Sequence, residues 1–342
     1  MEFQASLTTA FPNDTNFTDG TLPKTLSAVT ASLSLLGSFI IFLTFWMSPD
    51  LRTTARKMIV FITVADFLFA GTTIVDYLED RLGSTGYFVR TLEVTIPRIM
   101  ALVSSLIWTV HLSFFFYLTI CRRISMESER LFLMFFHITA WGVPFVIIVV
   151  AYFFNGVQLL ADLETGYKCW IRNEKTWKAM CIWTTITGEG WAITTYITMT
   201  VFYLLVKQHI RRELKSRFSP GSTFLTWKSG HVARMMDCKL TFIPMIFILE
   251  RIWGTIRFFL LVTHFHNHGK ENFTLQWLEI LHGIGINSQG FTNFILFVWC
   301  TTKIREKLIM GCVHCLSLFC RYHKRDQPVI SRERFYKTFN DE

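Results

Sequence analysis

Charged residues stand inside an apolar stretch of the chain, where they need partners. The stretch from Lys239 to Val262 is long enough to cross a membrane as a helix, yet it contains Glu250, Arg251 and Arg257. A full charge near the centre of a bilayer costs about 3 kcal/mol, so such a side chain has to face protein or a water-filled cavity. Arg251 lies near the middle of the stretch. We expect it inside a helix bundle, either in a ligand site or in an ion pair that only orients helices.

Further polar side chains stand at similar depths in neighbouring apolar stretches. On a rise of about 1.5 Å per residue, Glu189 lies close to the level of Arg251, and Arg257 lies close to the level of Glu279. Equal depth predicts the pairs Glu189–Arg251 and Arg257–Glu279, although depth does not determine which way a side chain faces. A ligand can compete for such pairs, so we predict a polar ligand pocket in the outer half of the bundle. Its candidate residues are Glu189, Arg251, Trp253, Arg257, Glu279 and His282.

A second set of polar residues belongs to the interior of the predicted bundle. Asp66 and His111 stand at a similar depth and are expected to contact each other, or each to bind a backbone carbonyl or a water. No spacing typical of a catalytic or metal site occurs inside the bundle, and the clustered histidines of HFHNH stand in a loop. We therefore predict no enzyme activity, no cofactor and no metal. The residues of this polar core are Asp66, His111, Asn287, Gln289 and Asn293.

The composition indicates which elements position these side chains. Of 342 residues, 51% are hydrophobic and 16% aromatic, which is typical of a membrane protein with several spans rather than of a soluble domain. The connections between apolar stretches are short, so we expect one all-α membrane domain, a seven-transmembrane helix bundle. The predicted spans are Leu26–Met47, Met58–Tyr77, Ile96–Ile120, Leu131–Phe154, Met180–Val206, Lys239–Val262 and Leu275–Cys300.

Two independent patterns predict that the amino terminus lies outside. With that orientation the inner segments carry 23 of the 34 Lys and Arg residues, as the positive-inside rule requires. Glycosylation acceptors of the pattern N-x-[ST] occur at Asn13, Asn16 and Asn272, and all three then fall outside. The net charge of +9 is attributed to the inner membrane face and its lipids, so no nucleic-acid partner is predicted. We expect a multi-pass protein of the plasma membrane, with a specialised membrane such as a cilium left open.

The chain divides into four predicted parts. Residues 1–25 are expected to form a short glycosylated extracellular tail, and residues 26–300 the seven-span domain. Residues 301–320 have the pattern of a cytoplasmic amphipathic helix on the inner leaflet, and residues 321–342 of a flexible tail.

The cysteines follow the same division. Cys312, Cys315 and Cys320 stand in the amphipathic stretch, where their position favours palmitoylation. Cys169 and Cys181 are the cysteines placed outside, where thiols can oxidise, so a disulfide between them is a further hypothesis.

Several segments together resemble a known receptor group. They are LRTTARKMIVFITVADFLFA (51–70), SSLIWTVHLSFFFYL (104–118), CWI (169–171), IPMIFILERIWGTIRFF (243–259) and LHGIGINSQGFTNFILFVWCTTKIREKL (281–308). These segments are similar to orphan G-protein-coupled receptors related to the slime-mould cyclic-AMP receptors and, more distantly, to the family 2 receptors of the secretin and adhesion types. The rhodopsin-like markers are missing, since the third span ends in LTICRR instead of D-R-Y and the seventh has no N-P-x-x-Y.

The resemblance implies a receptor that transmits an extracellular signal to a heterotrimeric G protein, with an unknown ligand. Ligand binding would favour an arrangement in which the inner end of the sixth span is displaced. The family's outer disulfide joins the top of the third span to the cysteine of CW, but no cysteine occurs between Asp80 and Arg98. Either Cys181 substitutes as the partner of Cys169, or the loop is unclamped. The residues expected to face the G protein are Arg122, Arg123, Arg211, Arg212 and Lys215.

Two other classes of membrane protein are alternatives to a receptor. A transporter or channel is expected to contain inverted repeats and broken helices at mid-membrane, and the sequence has no internal repeat. A membrane hydrolase with a metal site in the bundle requires clustered His and Asp on inward faces, whereas the ten histidines are scattered. Ion currents would favour the first class, and a lipid-hydrolytic activity lost on chelation the second.

Overall fold

The fold is a set of long helices. The computed structural model describes residues 21–49, 52–82, 94–122, 124–154, 174–217, 243–260, 262–263, 273–299, 301, 304–306 and 308–310. The fifth helix consists of two α-helical parts joined by a π-helical turn at Thr185–Glu189. The helices are α1 (Thr21–Met47), α2 (Thr54–Leu82), α3 (Ile96–Tyr117), α4 (Met126–Phe153), α5 (Glu174–Thr184 and Gly190–Arg217), α6 (243–260) and α7 (Phe273–Phe294).

Several helices begin or end beyond the spans predicted from hydropathy. Helix α1 starts at Thr21, five residues before the predicted start, and α2 continues past Tyr77 to Leu82. Backbone hydrogen bonding extends a helix through polar residues at the membrane surface, whereas the apolar pattern stops there. Helix α3 starts as expected, with Pro97 in its first turn, because a proline there loses no helical hydrogen bond.

Four helices are long and apolar enough to cross a membrane, judged by length and composition over the described residues. They are Leu22–Met47, Thr54–Leu82, Ile96–Arg122 and Glu127–Phe153. These four correspond to the first four predicted spans. The remaining helices are more polar: the 18 described residues of α6 alone contain three charges. This is the expected result for helices that carry the polar residues of a bundle interior.

The outward faces of these helices are apolar. On α4 the side chains of Leu131, Ile138 and Phe145 recur every seven residues and are 74%, 69% and 60% exposed. Such large exposed apolar surfaces are rare on soluble monomers, and here they suit contact with lipid. The buried side chains face the other helices; Leu106, Met199 and Phe247 meet in a cluster that joins α3, α5 and α6.

Small residues allow close packing of helices inside the bundle. A Cβ at Gly37 of α1 would stand 2.9 Å from the carbonyl oxygen of Gly290 on α7. The Gly290 amide in turn donates a hydrogen bond of 2.9 Å to the Ser34 hydroxyl. Membrane helices associate through such contacts, because lipid gives no hydrophobic driving force for burying larger side chains. The contact holds α7 beside α1.

A second compact unit begins at Ile295. It starts with the π-helical turn Ile295–Trp299, and helical residues follow at 304–306 and 308–310. The Ile304 and Arg305 amides both donate to the Thr301 carbonyl, at 2.9 and 3.0 Å, which begins that helix. Most of the predicted amphipathic stretch 301–320, including its three cysteines, lies outside the described residues.

Candidate functional site

A cavity of about 400 Å³, lined by several charged side chains among apolar ones, lies at one end of the bundle. Its lining comes from the amino-terminal halves of α1, α3, α5 and α7 and from the carboxyl-terminal halves of α2 and α6, as expected where neighbouring helices run in opposite directions. We call it the pocket. Trp253 is half-buried and lies outside its lining. Five of the six predicted pocket residues do line it: Glu189, Arg251, Arg257, Glu279 and His282.

Three charged lining residues were not predicted from the sequence. Lys24 of α1 pairs with Asp80 of α2 at 3.0 Å, beside the pocket. Arg98 of α3 contacts Asp76 of α2 at 3.5 Å, and both line the pocket. Arg98 and Asp76 could have been found from the sequence, because both are charged residues inside helices. Both stand near the ends of the spans predicted from hydropathy, where a charged side chain is expected to reach the membrane surface.

The π-helical turn of α5 places Glu189 at the pocket wall. Its hydrogen bond runs from the Gly190 amide to the Thr185 carbonyl, five residues back. A Cβ on Gly190 would stand 2.6 Å from that carbonyl oxygen, so the turn requires glycine there. Such turns occur often at functional sites. Gly190 therefore has a local role within the turn.

Glu189 binds α6 through Thr255 and not through Arg251. The Thr255 hydroxyl donates to Glu189 Oε2 at 2.9 Å and also stands 3.2 Å from the Tyr196 hydroxyl. The predicted Glu189–Arg251 ion pair does not form among the described residues, although both side chains line the pocket. The prediction rested on equal depth, and depth does not fix the direction in which a helix presents its side chain.

Arg251 turns toward α7, where its Nη2 donates to Gln289 Oε1. Its guanidinium also lies over the Phe247 ring, 5.4 Å from the ring centre. The residue is 7% exposed, and its Nε has no hydrogen-bond partner in the described part of the chain. A buried guanidinium donor without an acceptor is costly, so Arg251 keeps hydrogen-bonding capacity that a ligand can use.

Close contact between α6 and α7 brings two more predicted residues together. A Cβ on Gly254 would collide with the His282 ring. His282 Nδ1 is buried without a partner among the described residues. One turn further along, the Arg257 and Glu279 side chains approach to 3.5 Å, which confirms the predicted pair. Their side chains are 32% and 48% exposed, so this pair faces open space.

A hydrogen-bonded network lies directly beneath the pocket. Gln289 Nε2 donates to the Ser105 hydroxyl at 2.8 Å, and Ser105 donates to Asp66 Oδ1 at 2.7 Å. Asn293 donates to Asp66 Oδ2 at 2.7 Å. Together with Arg251, these four residues connect α2, α3, α6 and α7. Ser105 is the residue that sequence reasoning missed, because a serine in an apolar helix carries no signal of its own.

The other residues of the predicted polar core lie apart from this network. Asn287 accepts a hydrogen bond of 2.8 Å from Thr73. His111 stands 3.2 Å from the Thr139 hydroxyl of α4. Of the two alternatives for Asp66 and His111, the mutual contact does not form, because α3 presents Ser105 to α2 and turns His111 toward α4.

The predicted G-protein-facing residues stand away from the pocket. Arg122 ends the π-helical turn that follows α3, and Arg211 and Arg212 lie near the carboxyl end of α5; all three are exposed. The side chain of Lys215 is not described, and Arg123 lies outside the described residues.

The covalent modifications predicted from the sequence stay predictions. Cys181 is a free cysteine in the described part of the chain, and Cys169 lies outside it. No group of three or more metal-ligating side chains occurs within that part. The predicted modification sites outside it are Asn13, Asn16, Asn272, Cys312, Cys315 and Cys320.

Apolar outward faces around a cavity lined by charged residues are typical of a multi-span helical membrane protein. The chain belongs to the slime mold cyclic AMP receptor family, whose family model matches residues 17–319. It is 34% identical to G-protein coupled receptor 157 of Mus musculus over 290 residues, and this aligned part covers 84% of each chain. The human protein of that name is 34% identical over 291 residues, 83% of this chain and 82% of its own.

A more distant relative agrees with this assignment. Latrophilin receptor-like protein A of Dictyostelium discoideum is 27% identical over 124 residues, 36% of this chain and 38% of its own. The resemblance inferred from the sequence is confirmed, and the chain is a multi-pass helical membrane receptor by family.

Proposed function

We propose that the chain is a seven-span receptor of the plasma membrane, with its amino terminus outside, that binds a small extracellular ligand and activates a heterotrimeric G protein. The observation that carries the proposal is the continuity between the pocket and the network beneath it. Arg251 lines the pocket and is at the same time hydrogen-bonded to Gln289 in the buried network. A ligand that contacts Arg251 therefore acts on a network that connects four helices.

The proposed mechanism is a shift of population between two packings of α6 against α7. Besides the Arg251–Gln289 bond, Glu250 of α6 accepts hydrogen bonds from Ser288 and Thr292 of α7. A ligand that redirects Arg251 weakens the bond between Arg251 and Gln289. It thereby favours the packing in which the inner end of α6, where Pro244 stands, is displaced. A ligand shifts such an equilibrium only by its difference in affinity for the two packings.

The opposite end of the bundle supports the assignment of a G-protein surface. Pocket residues come from the start of α3 and α5, whereas Arg122, Arg211 and Arg212 stand at their far ends and are exposed. A basic inner surface fits the positive-inside rule and would attract an acidic partner surface or anionic lipid. The names of the relatives, which are called G-protein coupled receptors, favour the partner.

The test is the second-messenger output of cells that express the full chain. Calcium and cyclic AMP are measured without added ligand for the wild type and for Arg251→Ala at matched surface level. A basal signal that changes with Arg251→Ala supports the proposal. An Arg211→Ala/Arg212→Ala variant is expected to lose that signal, whereas Arg81→Ala, an exposed arginine at the pocket end of α2, is expected to keep it. Ion currents carried by the expressed chain, in place of any second-messenger signal, would contradict the receptor assignment.

A further inference from the structure

The pocket contains one positive and one negative group that lie outside every ion pair among the described residues. Three of its cations belong to ion pairs, namely Lys24–Asp80, Arg98–Asp76 and Arg257–Glu279. Of the charged lining residues, Glu189 and Arg251 are then the two that form no ion pair within the described part of the chain. A ligand that completes this site has to supply an anion to one and a cation to the other.

Each of these two groups also has unused hydrogen-bonding capacity. Arg251 is 7% exposed, and its buried Nε donates to no described residue. Glu189 accepts the Thr255 hydroxyl at Oε2, and no described residue donates to its Oε1. A charge-assisted hydrogen bond is about twice as strong as a neutral one, so these are the two anchor points that a ligand gains most from filling.

The residues around the two anchors provide space and a further polar contact for a ligand. Gly254 of α6 has no side chain, so the Glu189 carboxylate and the His282 ring both come close to its backbone. His282 Nδ1 is buried without a described partner and provides one more polar contact beside Gly254, on the side of Glu189. A cavity of about 400 Å³ lies in the range of small-molecule sites, which are ~300–1,000 Å³.

We propose that the pocket binds a small zwitterion of amino-acid to dipeptide size, with its carboxylate on Arg251 and its ammonium on Glu189. This inference rests on the proposed function in assigning the pocket to the ligand. A simple anion is disfavoured because Glu189 would repel it, and a simple amine because Arg251 would. A net-neutral molecule with separated charges satisfies both anchors without leaving a buried charge unpaired.

The experiment measures thermal unfolding of the purified full chain in detergent, which requires no G protein. The first probe is a mixture of the common α-amino acids and glycyl dipeptides. The second probe is their N-acetyl forms, which lack the ammonium, and the third is their amides, which lack the carboxylate. Cyclic AMP, an anion without an ammonium, is the fourth. A ligand of the folded state raises the unfolding temperature. We expect the first probe alone to do so.

Two variants test the assignment of each charge. With Glu189→Gln, the half-maximal concentration of the zwitterion should rise about tenfold or more, while the N-acetyl forms gain affinity because their repulsion is removed. With Arg251→Gln, the amides should gain in the same way. Glu129→Gln makes the same charge change on α4, where Glu129 accepts from Thr54 outside the pocket, and should leave every probe unchanged.

Each result decides the proposal. It is overturned if the zwitterions give no shift in the wild type, or if the N-acetyl forms, the amides or cyclic AMP give an equal one. These wild-type comparisons do not depend on whether a variant folds. A zwitterion shift in a chain that never signals would contradict G-protein coupling and leave the site intact. Signalling without a zwitterion shift would contradict this inference alone.

Discussion

Replacement of Gln289 by leucine is the sharpest perturbation of the buried network. Leucine is of similar size but removes the acceptor of the Arg251 guanidinium and the donor to Ser105. A hydrogen bond to a charged group contributes about 1.5–3 kcal/mol, and a neutral bond between membrane helices about 0.6 kcal/mol. We expect Gln289→Leu to lower the free energy of unfolding by roughly 2–4 kcal/mol, because it leaves a buried charge without an acceptor.

The assay is the thermal unfolding of the purified chain in detergent. At about 2 °C per kcal/mol, the lower limit of the values for smaller soluble domains, the unfolding temperature should fall by roughly 4–8 °C. Gln208→Leu, the same exchange at an exposed position of α5, is the control and should change the stability by less than about 0.5 kcal/mol.

A second substitution tests the physical reason. Adding Arg251→Met to Gln289→Leu removes the charge as well as its acceptor, so the double variant should regain most of the lost stability. Replacement of both members of a buried polar pair by apolar residues is often close to neutral. If the double variant is no more stable than Gln289→Leu alone, the unpaired arginine is not the cause, and the reasoning is refuted.

Two further predictions concern the α6–α7 contact. Gly254→Ala should lower the free energy of unfolding by roughly 1–3 kcal/mol, because the new methyl group meets the His282 ring. Gly142→Ala on α4 is the control, because its new methyl group meets no atom within 4 Å. In the same unfolding measurement, the control should leave the free energy of unfolding unchanged or raise it by up to about 1 kcal/mol. A double-mutant cycle of Arg257→Ala and Glu279→Ala should give a coupling below about 1 kcal/mol, because both side chains are partly exposed; a coupling well above that would show that the pair is shielded from solvent.

The identity of the polar residues was predictable, but most of their partners were not. Arg251, Gln289 and Asp66 stand out because a charged or amide side chain in a long apolar stretch has to be buried and bonded. Arg257–Glu279 was found correctly, since both residues lie near the surface end of facing helices. Glu189–Arg251 was not, although the same depth argument was applied.

The two pairs differ in how their helices are turned about their own axes. Depth along a helix follows from residue number, at a fixed rise per residue. The direction of a side chain depends on how each helix is turned about its axis, which packing sets through contacts such as that of Gly254 with His282. A π-helical turn adds a residue to one turn of α5 and rotates everything before it, including the approach of Glu189 to Thr255.

By itself, the sequence determined that the chain is a helical membrane receptor with a charged interior. Hydropathy follows from composition along the chain, and the free energy of burying a charge in lipid does not depend on the fold. Only the tertiary structure decided which helices supply the pocket, that Asp76 and Arg98 belong to it, and that Ser105 joins Asp66 to Gln289. Those facts depend on helix rotation and neighbour order, which arise from the packing of all helices together and are recorded in no single segment.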